Sequence, residues 1–143
     1  VSMTEDSVTV SRGGDLIPVD IQTLPHPGFP TDLQAQFMVL DAAAKGTSII
    51  TENVFENRFM FASELCRMGA DVRIDGHHAL ITGVEGFSGA PVSSTDLRGG
   101  AALVIAALVA DGETRVDNIY HIDRGYEDYV GKLRDIGADV ERH

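Results

Sequence analysis

A chain of 143 residues with 43% hydrophobic and 6% aromatic residues has the material for one ordinary domain with a real core, which excludes a disordered segment. Eleven basic against 22 acidic residues leave a net charge of −11, which excludes a general nucleic-acid or anionic-membrane surface and demands local arginines for any phosphorylated ligand. The longest apolar run, Ala101 to Ala110, is about half of a bilayer span, and VSMTEDSVTV at the N-terminus has neither a basic start nor an apolar signal core, so a cytoplasmic location is expected.

In chain order, Ser7 to Ser11 and Val19 to Gln22 alternate at period two around Gly13-Gly14-Asp15 and read as strands. A proline-rich turn, HPGFPTD, follows. Leu33, Phe37, Leu40 and Ala44 then fall at helical spacing, with Thr31 as the expected N-cap and Gly46 as the stop. Thr47 to Thr51 reads as a buried strand, Phe59 to Met68 as a helix ended by Gly69, and Ala70 to Asp75 with Ala79 to Val84 as two strands around a Gly76-His77 turn.

The second half reads in the same order. Val92 to Ser94 is a short strand, Asp96 to Leu108 a helix, Thr114 to Ile119 a strand, Tyr126 to Ile136 a helix and Ala138 to Glu141 a strand. Thr31-Asp32-Leu33 matches Thr95-Asp96-Leu97 at an offset of 64 residues, Asn57-Arg58 matches Asp123-Arg124 at 66, and Gly69-Ala70-Asp71-Val72 matches Gly137-Ala138-Asp139-Val140 at 68. The expectation is one partial α+β domain over 1–143 with two βαβαββ repeats, near 17–84 and 91–143, whose helices pack on their sheets and share a core. The chain opens with a strand that would close a preceding unit and stops short of completing the second, the pattern of a fragment.

The repeat puts an acid and an arginine at equivalent points, Asp32 with Arg58 and Asp96 with Arg124, and adds Arg98 two residues after Asp96. Each acid opens a helix and each arginine follows the next strand, so all are expected at one edge of the sheet, where open α/β folds bind ligands. An acid in the first helical turn is stabilised by the helix dipole by ~0.3–1 kcal/mol without any function, so position alone leaves capping and chemistry both open. Gly99-Gly100 after Arg98 either leaves bare amides beside a guanidinium, an anion site, or serves close helix packing. Phe55, in the loop Val54 to Phe59, is expected to cover the core edge, and Cys66, the one cysteine, to be a small packing residue rather than a nucleophile. A lone cysteine forms no internal disulfide, and the histidines at 26, 77, 78, 121 and 143 lack ligand spacing, so neither a metal nor another cofactor is expected.

HPGFPTDLQAQF, TENVFENRFMFASELCRMGADV, TDLRGGAALVIAAL and IYHIDRGYEDYVGKLRDIGADVER closely resemble the C-terminal part of the UDP-N-acetylglucosamine 1-carboxyvinyltransferase family of enolpyruvyl transferases, colinearly over nearly the whole chain. The resemblance implies an inside-out α/β barrel of repeated βαβαββ units, of which this chain would hold two. It implies transfer of enolpyruvyl from phosphoenolpyruvate to the 3′-hydroxyl of UDP-N-acetylglucosamine with loss of phosphate, the step that opens bacterial peptidoglycan synthesis and so serves wall growth, cell shape and division. By resemblance Asp32 contacts that hydroxyl and is the general base, Val54 and its neighbour Phe55 face the UDP-sugar, and Asp96 and Arg98 belong to the phosphoenolpyruvate side. Arg124, by the same resemblance, closes on the charged groups of phosphoenolpyruvate. The family's N-terminal lysine and its loop cysteine have no counterpart in this sequence, and Cys66 matches neither. The expectations are therefore an inactive chain when alone, the remainder of the enzyme as its partner, no nucleic-acid or membrane partner, and self-association favoured by an open unit at each end. The alternatives are a shikimate-type transferase, against which VFENRF and YHIDRGYE argue, and a non-catalytic binding module of the same fold.

Overall fold

The structure, a computed structural model, describes residues 1–11 and 13–143. It is a mixed α+β arrangement of eight strands and five α-helices among the described residues. β1 (Ser2–Met3) and β2 (Val8–Thr9) form an exposed antiparallel hairpin, with every residue of both strands solvent-facing. The centre is a four-stranded sheet of β3 (Ile21–Gln22), β4 (Thr47–Thr51), β5 (Asp71–Asp75) and β6 (His78–Thr82) in the order β3-β4-β6-β5. β3 runs parallel to β4, while β6 is antiparallel to both β4 and β5, as its tight Gly76-His77 connection to β5 requires.

Alternation decides which face of the sheet is covered. In β4, Ser48 and Ile50 point inward and Ile49 outward; in β6, Ala79 and Ile81 point inward and Leu80 outward. Onto the inner face fold α1 (Gln34–Ala42), through Ala35, Met38, Val39 and Ala42, and α2 (Ala62–Arg67), through Ala62 and Leu65. Parallel neighbours cannot be joined by a tight turn, and residues 23–46, the proline-rich turn plus α1, supply the crossover between β3 and β4.

The second half gives β7 (Pro91–Ser93), α3 (Leu97–Ala107), β8 (Arg115–Asp117), α4 (Tyr120–Asp123) and α5 (Tyr129–Asp135), with β7 and β8 parallel. α3 packs against α1 and joins the same core through Ala102, Leu103 and Ala106. The helix expected over Tyr126 to Ile136 forms as the shorter α5, which starts at Tyr129 because Asp128, in a left-handed conformation, caps it by accepting from Gly131 N, while α4 is a short helix that was not expected. One expectation fails here. No strand forms at Ala138 to Glu141: a strand exists only through a ladder, and no described segment pairs with these residues.

Gly99 and Gly100 are both buried, and their role is contact. A Cβ on Gly99 would stand 2.7 Å from Phe61 Cβ, and one on Gly100 would run into Ser94 and 2.9 Å from Ile122 Cγ1. The two glycines let α3 lie directly against Phe61 and α4.

Candidate functional site

The site begins with the turn between β3 and α1. Leu24 N donates to Phe29 O at 3.0 Å and Gly28 N to Pro25 O at 2.8 Å, and Phe29 packs edge-on against Phe37 of α1 with ring centroids 5.0 Å apart. These contacts fix the path of the chain into a single 3₁₀ turn, Thr31–Leu33, which runs directly into α1.

Thr31 does not cap that turn. Pro30 occupies the N-cap position, no side chain caps it, and the Thr31 hydroxyl instead donates to Glu52 Oε2 at 2.7 Å. Asp32 is consequently left exposed, and its carboxylate turns outward to accept from Arg98 Nε at 2.5 Å. The duplicate acid behaves differently. Asp96 is a true N-cap of α3: its Oδ1 accepts from Arg98 N at 2.8 Å and Gly99 N at 3.0 Å, so the first turn of α3 is not a bare anion site. Capping anchors the backbone of Arg98, and the Arg98 side chain crosses to Asp32, 66 residues earlier. Asp32 and Arg98, from the two halves of the chain, thus meet.

The residue that organises the first half is Glu52, at the end of β4 and 3% exposed. Its Oε1 accepts from Thr23 Oγ1 at 2.8 Å, Val54 N at 2.8 Å and Phe55 N at 3.0 Å, and its Oε2 from Thr31 Oγ1. Burial is the largest single influence and favours the neutral acid. The four donors together outweigh it and hold the carboxyl below the usual glutamate value, so Glu52 is a buried carboxylate satisfied entirely by hydrogen bonds. Sequence reasoning passed over it because a glutamate after a strand reads as a solvated charge; the threonines at 23 and 31 were the only hint.

Held by Glu52, the Val54–Phe55 segment is presented to solvent. Phe55 is 54% exposed and does not cover the core edge, because its backbone amide is tied to Glu52 and its ring lies under the Arg58 guanidinium, 4.5 Å from the ring centroid. A cavity of about 470 Å³ opens beside it, with Glu52, Phe55, Arg58, Phe59 and His77 among its walls. Arg58 Nε is buried with no hydrogen-bond partner among the described residues.

Arg124 lies apart, exposed at the C-cap of α4, and makes no ion pair among the described residues; its neighbour Asp123 is held by a bidentate Arg142 at 2.7 and 3.1 Å. The structure therefore brings Asp32, Asp96 and Arg98 together, and Val54, Phe55 and Arg58 together. Glu52 links the two groups, and Arg124 stands outside both. Cys66 is exposed on α2 with its thiol near Val72 O at 3.8 Å, so it is not a packing residue. Among the described residues no cluster of histidine, cysteine and carboxylate groups has metal-binding geometry.

The family model for EPSP synthase (3-phosphoshikimate 1-carboxyvinyltransferase) matches residues 1–133. The chain belongs to the EPSP synthase family. UDP-N-acetylglucosamine 1-carboxyvinyltransferase 2 of Carboxydothermus hydrogenoformans is 60% identical over 138 residues, which are 96% of this chain and 33% of that protein. UDP-N-acetylglucosamine 1-carboxyvinyltransferase of Psychrobacter sp. is 54% identical over 142 residues, 99% of this chain and 33% of that protein. Among solved structures, the enolpyruvyl transferase NikO of Streptomyces tendae superposes with a TM-score of 0.80 at 36% identity, covering 87% of this chain and 29% of that one. EPSP synthase of Acinetobacter baumannii, at 22% identity, TM-score 0.62 and 78% and 27% coverage, shares the fold. This EPSP synthase family chain spans about a third of the length of its first two curated relatives.

Proposed function

We propose that this chain carries part of the site at which enolpyruvyl passes from phosphoenolpyruvate to the 3′-hydroxyl of UDP-N-acetylglucosamine, a cytoplasmic reaction that supplies the precursor of bacterial peptidoglycan. The observation that carries the reading is the Asp32–Arg98 pair, an exposed acid and a guanidinium drawn from two halves of the chain. In this reading Asp32 takes the proton of the sugar hydroxyl as its oxygen bonds to C2 of phosphoenolpyruvate, while a proton from a group outside this chain's candidate set reaches C3. Return of a C3 proton to that outside group then restores the double bond as the bond from C2 to the phosphate oxygen breaks and phosphate leaves. A sugar hydroxyl is a poor nucleophile, and an oriented carboxylate within reach is what it lacks.

Arg98, released from Asp32 by the incoming ligand, is suited to pair with the phosphate or carboxylate of phosphoenolpyruvate, and Arg124 is the second guanidinium on that side. Asp96 holds the first turn of α3 and so the root of Arg98. Val54 and Phe55 present backbone and an aromatic face to the nucleotide sugar. The two repeats near 17–84 and 91–143 would each contribute one edge of the cleft. Identities of 54 and 60% to enzymes named for UDP-N-acetylglucosamine favour this acceptor over 3-phosphoshikimate.

The test is phosphate release dependent on both substrates, measured on the 143-residue chain alone and on the chain joined to the part of a curated relative that it does not span. Turnover is expected only in the joined protein and only with the UDP-sugar. Release with 3-phosphoshikimate, or none with either acceptor, refutes the reading.

A further inference from the structure

Nothing in the chemistry of enolpyruvyl transfer calls for a buried carboxylate between the two ligand-facing segments, yet Glu52 is there with four hydrogen bonds and no cation within ion-pair distance among the described residues. Its partners are not neighbours in sequence. Thr23 directly follows β3 at the entry to the proline-rich turn, Thr31 opens the 3₁₀ turn at its exit, and Val54 leads into Phe55, which lines the cavity. Thr23 Oγ1 is tied in from both sides, donating to Glu52 and accepting from Asn53 N at 2.9 Å. Glu52 itself is fixed by its backbone, since Glu52 N donates to His77 O at 2.8 Å.

We propose that Glu52 is a positioning residue that sets the Thr31–Asp32 turn, and with it the Asp32–Arg98 pair, in fixed register with the Val54–Phe55 segment. The proposal rests on the function proposed above for its catalytic consequence, and on geometry alone for the coupling. Carboxylate chemistry suits the role: one oxygen gathers three donors and the other reserves itself for Thr31, an arrangement that no neutral side chain of this size reproduces. An amide at position 52 keeps one oxygen for Thr23 and the Val54 and Phe55 amides and turns N–H toward Thr31, whose hydroxyl must then accept instead of donate. The charge that draws all four donors inward is lost, and the hydrogen bonds that remain are the weaker neutral kind. Shape is conserved and the grip on the two segments is not.

The test compares Glu52→Gln, Thr31→Val and Thr31→Ser. On the chain itself, the Arg98 Nε–H and the Val54 and Phe55 amide resonances are followed by NMR, with a thermal melt to confirm that each variant is folded. In the joined protein, kcat and KM for each substrate are measured. Glu52→Gln and Thr31→Val are expected to shift the Arg98 Nε–H and speed its solvent exchange, and to lower kcat by about 10–100-fold, the scale of a misplaced catalytic group. Glu52→Gln also shifts the Val54 and Phe55 amides, Thr31→Val leaves KM for the nucleotide sugar within about threefold because those amides keep their acceptor, and Thr31→Ser restores the wild-type readouts. Unchanged Arg98 and Val54–Phe55 resonances in folded Glu52→Gln, or kcat falling only with the folded fraction, overturn the coupling. A joined wild-type protein that releases no phosphate refutes the proposed reaction instead, and the Arg98 resonance then decides the coupling by itself.

Discussion

Replacing Arg98 by glutamine separates a structural role for the Asp32–Arg98 pair from a functional one. The Asp32 side chain is 62% exposed and that of Arg98 30%, so both ions keep much of their hydration and their attraction is screened. Pairs of this kind contribute about 0–1 kcal/mol. For a chain of this size 1 kcal/mol corresponds to about 3–5 °C in Tm, so Arg98→Gln is expected to melt within about 5 °C of the wild type. The unpaired Asp32 adds little, because water reaches it. Catalysis has a different scale: removing one charged donor from a developing anion costs on the order of 10²–10³ in rate, about 2.7–4 kcal/mol. The assay is a thermal melt of the chain beside phosphate release from the joined protein at saturating and limiting phosphoenolpyruvate. A Tm loss well beyond 10 °C would show that the pair holds the fold, and unchanged kcat/KM for phosphoenolpyruvate would show that Arg98 is not a ligand clamp.

Four further outcomes follow from the buried polar groups and the α3 contact. Glu52 has its folded-state value below the ordinary 4.5, so it stabilises the fold above that pH and the contribution is lost as pH falls through the unfolded and then the folded value; urea melts between pH 6 and 3 are expected to show a decline that Glu52→Gln flattens. Asp41 has the opposite sign: burial raises it, so its ionisation opposes folding as pH rises above 3.8, and Asp41→Asn, which still pairs with Val19 N and the Ser48 hydroxyl, is expected to be as stable as the wild type or up to about 1 kcal/mol more stable at pH 7 by urea titration. Gln34 is fully buried with neither amide atom paired among the described residues, so Gln34→Met should raise stability by about 1 kcal/mol, while Gly100→Ala should lower it by about 1–3 kcal/mol through the collision with Ser94 and Ile122.

The fold was legible where periodicity and punctuation agree. Thr47 to Thr51 and Asp71 to Thr82 alternate cleanly and are closed by Gly46, Gly76 and Gly83, and they became the central sheet near their expected bounds. It was illegible at 138–141, where strand-like residues lack a ladder partner among the described residues, and at Tyr120 to Asp123, whose short helix has no side-chain cap to announce it. The site divides in the same way. Asp32, Asp96 and Arg98 were visible because a duplicated Thr-Asp-Leu marks them, yet the duplication hid a difference: Asp96 caps its helix while Asp32 is freed by the departure of Thr31 to Glu52. Phe55 was misjudged because hydrophobicity says nothing about a backbone amide held from below. Glu52 was missed because its partners lie up to 29 residues away, and only tertiary structure gathers them.

The central claim is that Asp32 is the acid group presented to the acceptor hydroxyl. Its most direct test is single-turnover phosphate release by the joined protein carrying Asp32→Asn, with UDP-N-acetylglucosamine binding measured in parallel. The account predicts a loss of at least about 10²-fold in the chemical step, the range for a positioned general base, with nucleotide-sugar affinity within a few fold of the wild type. An Asp32→Asn protein that turns over at the wild-type rate would contradict it.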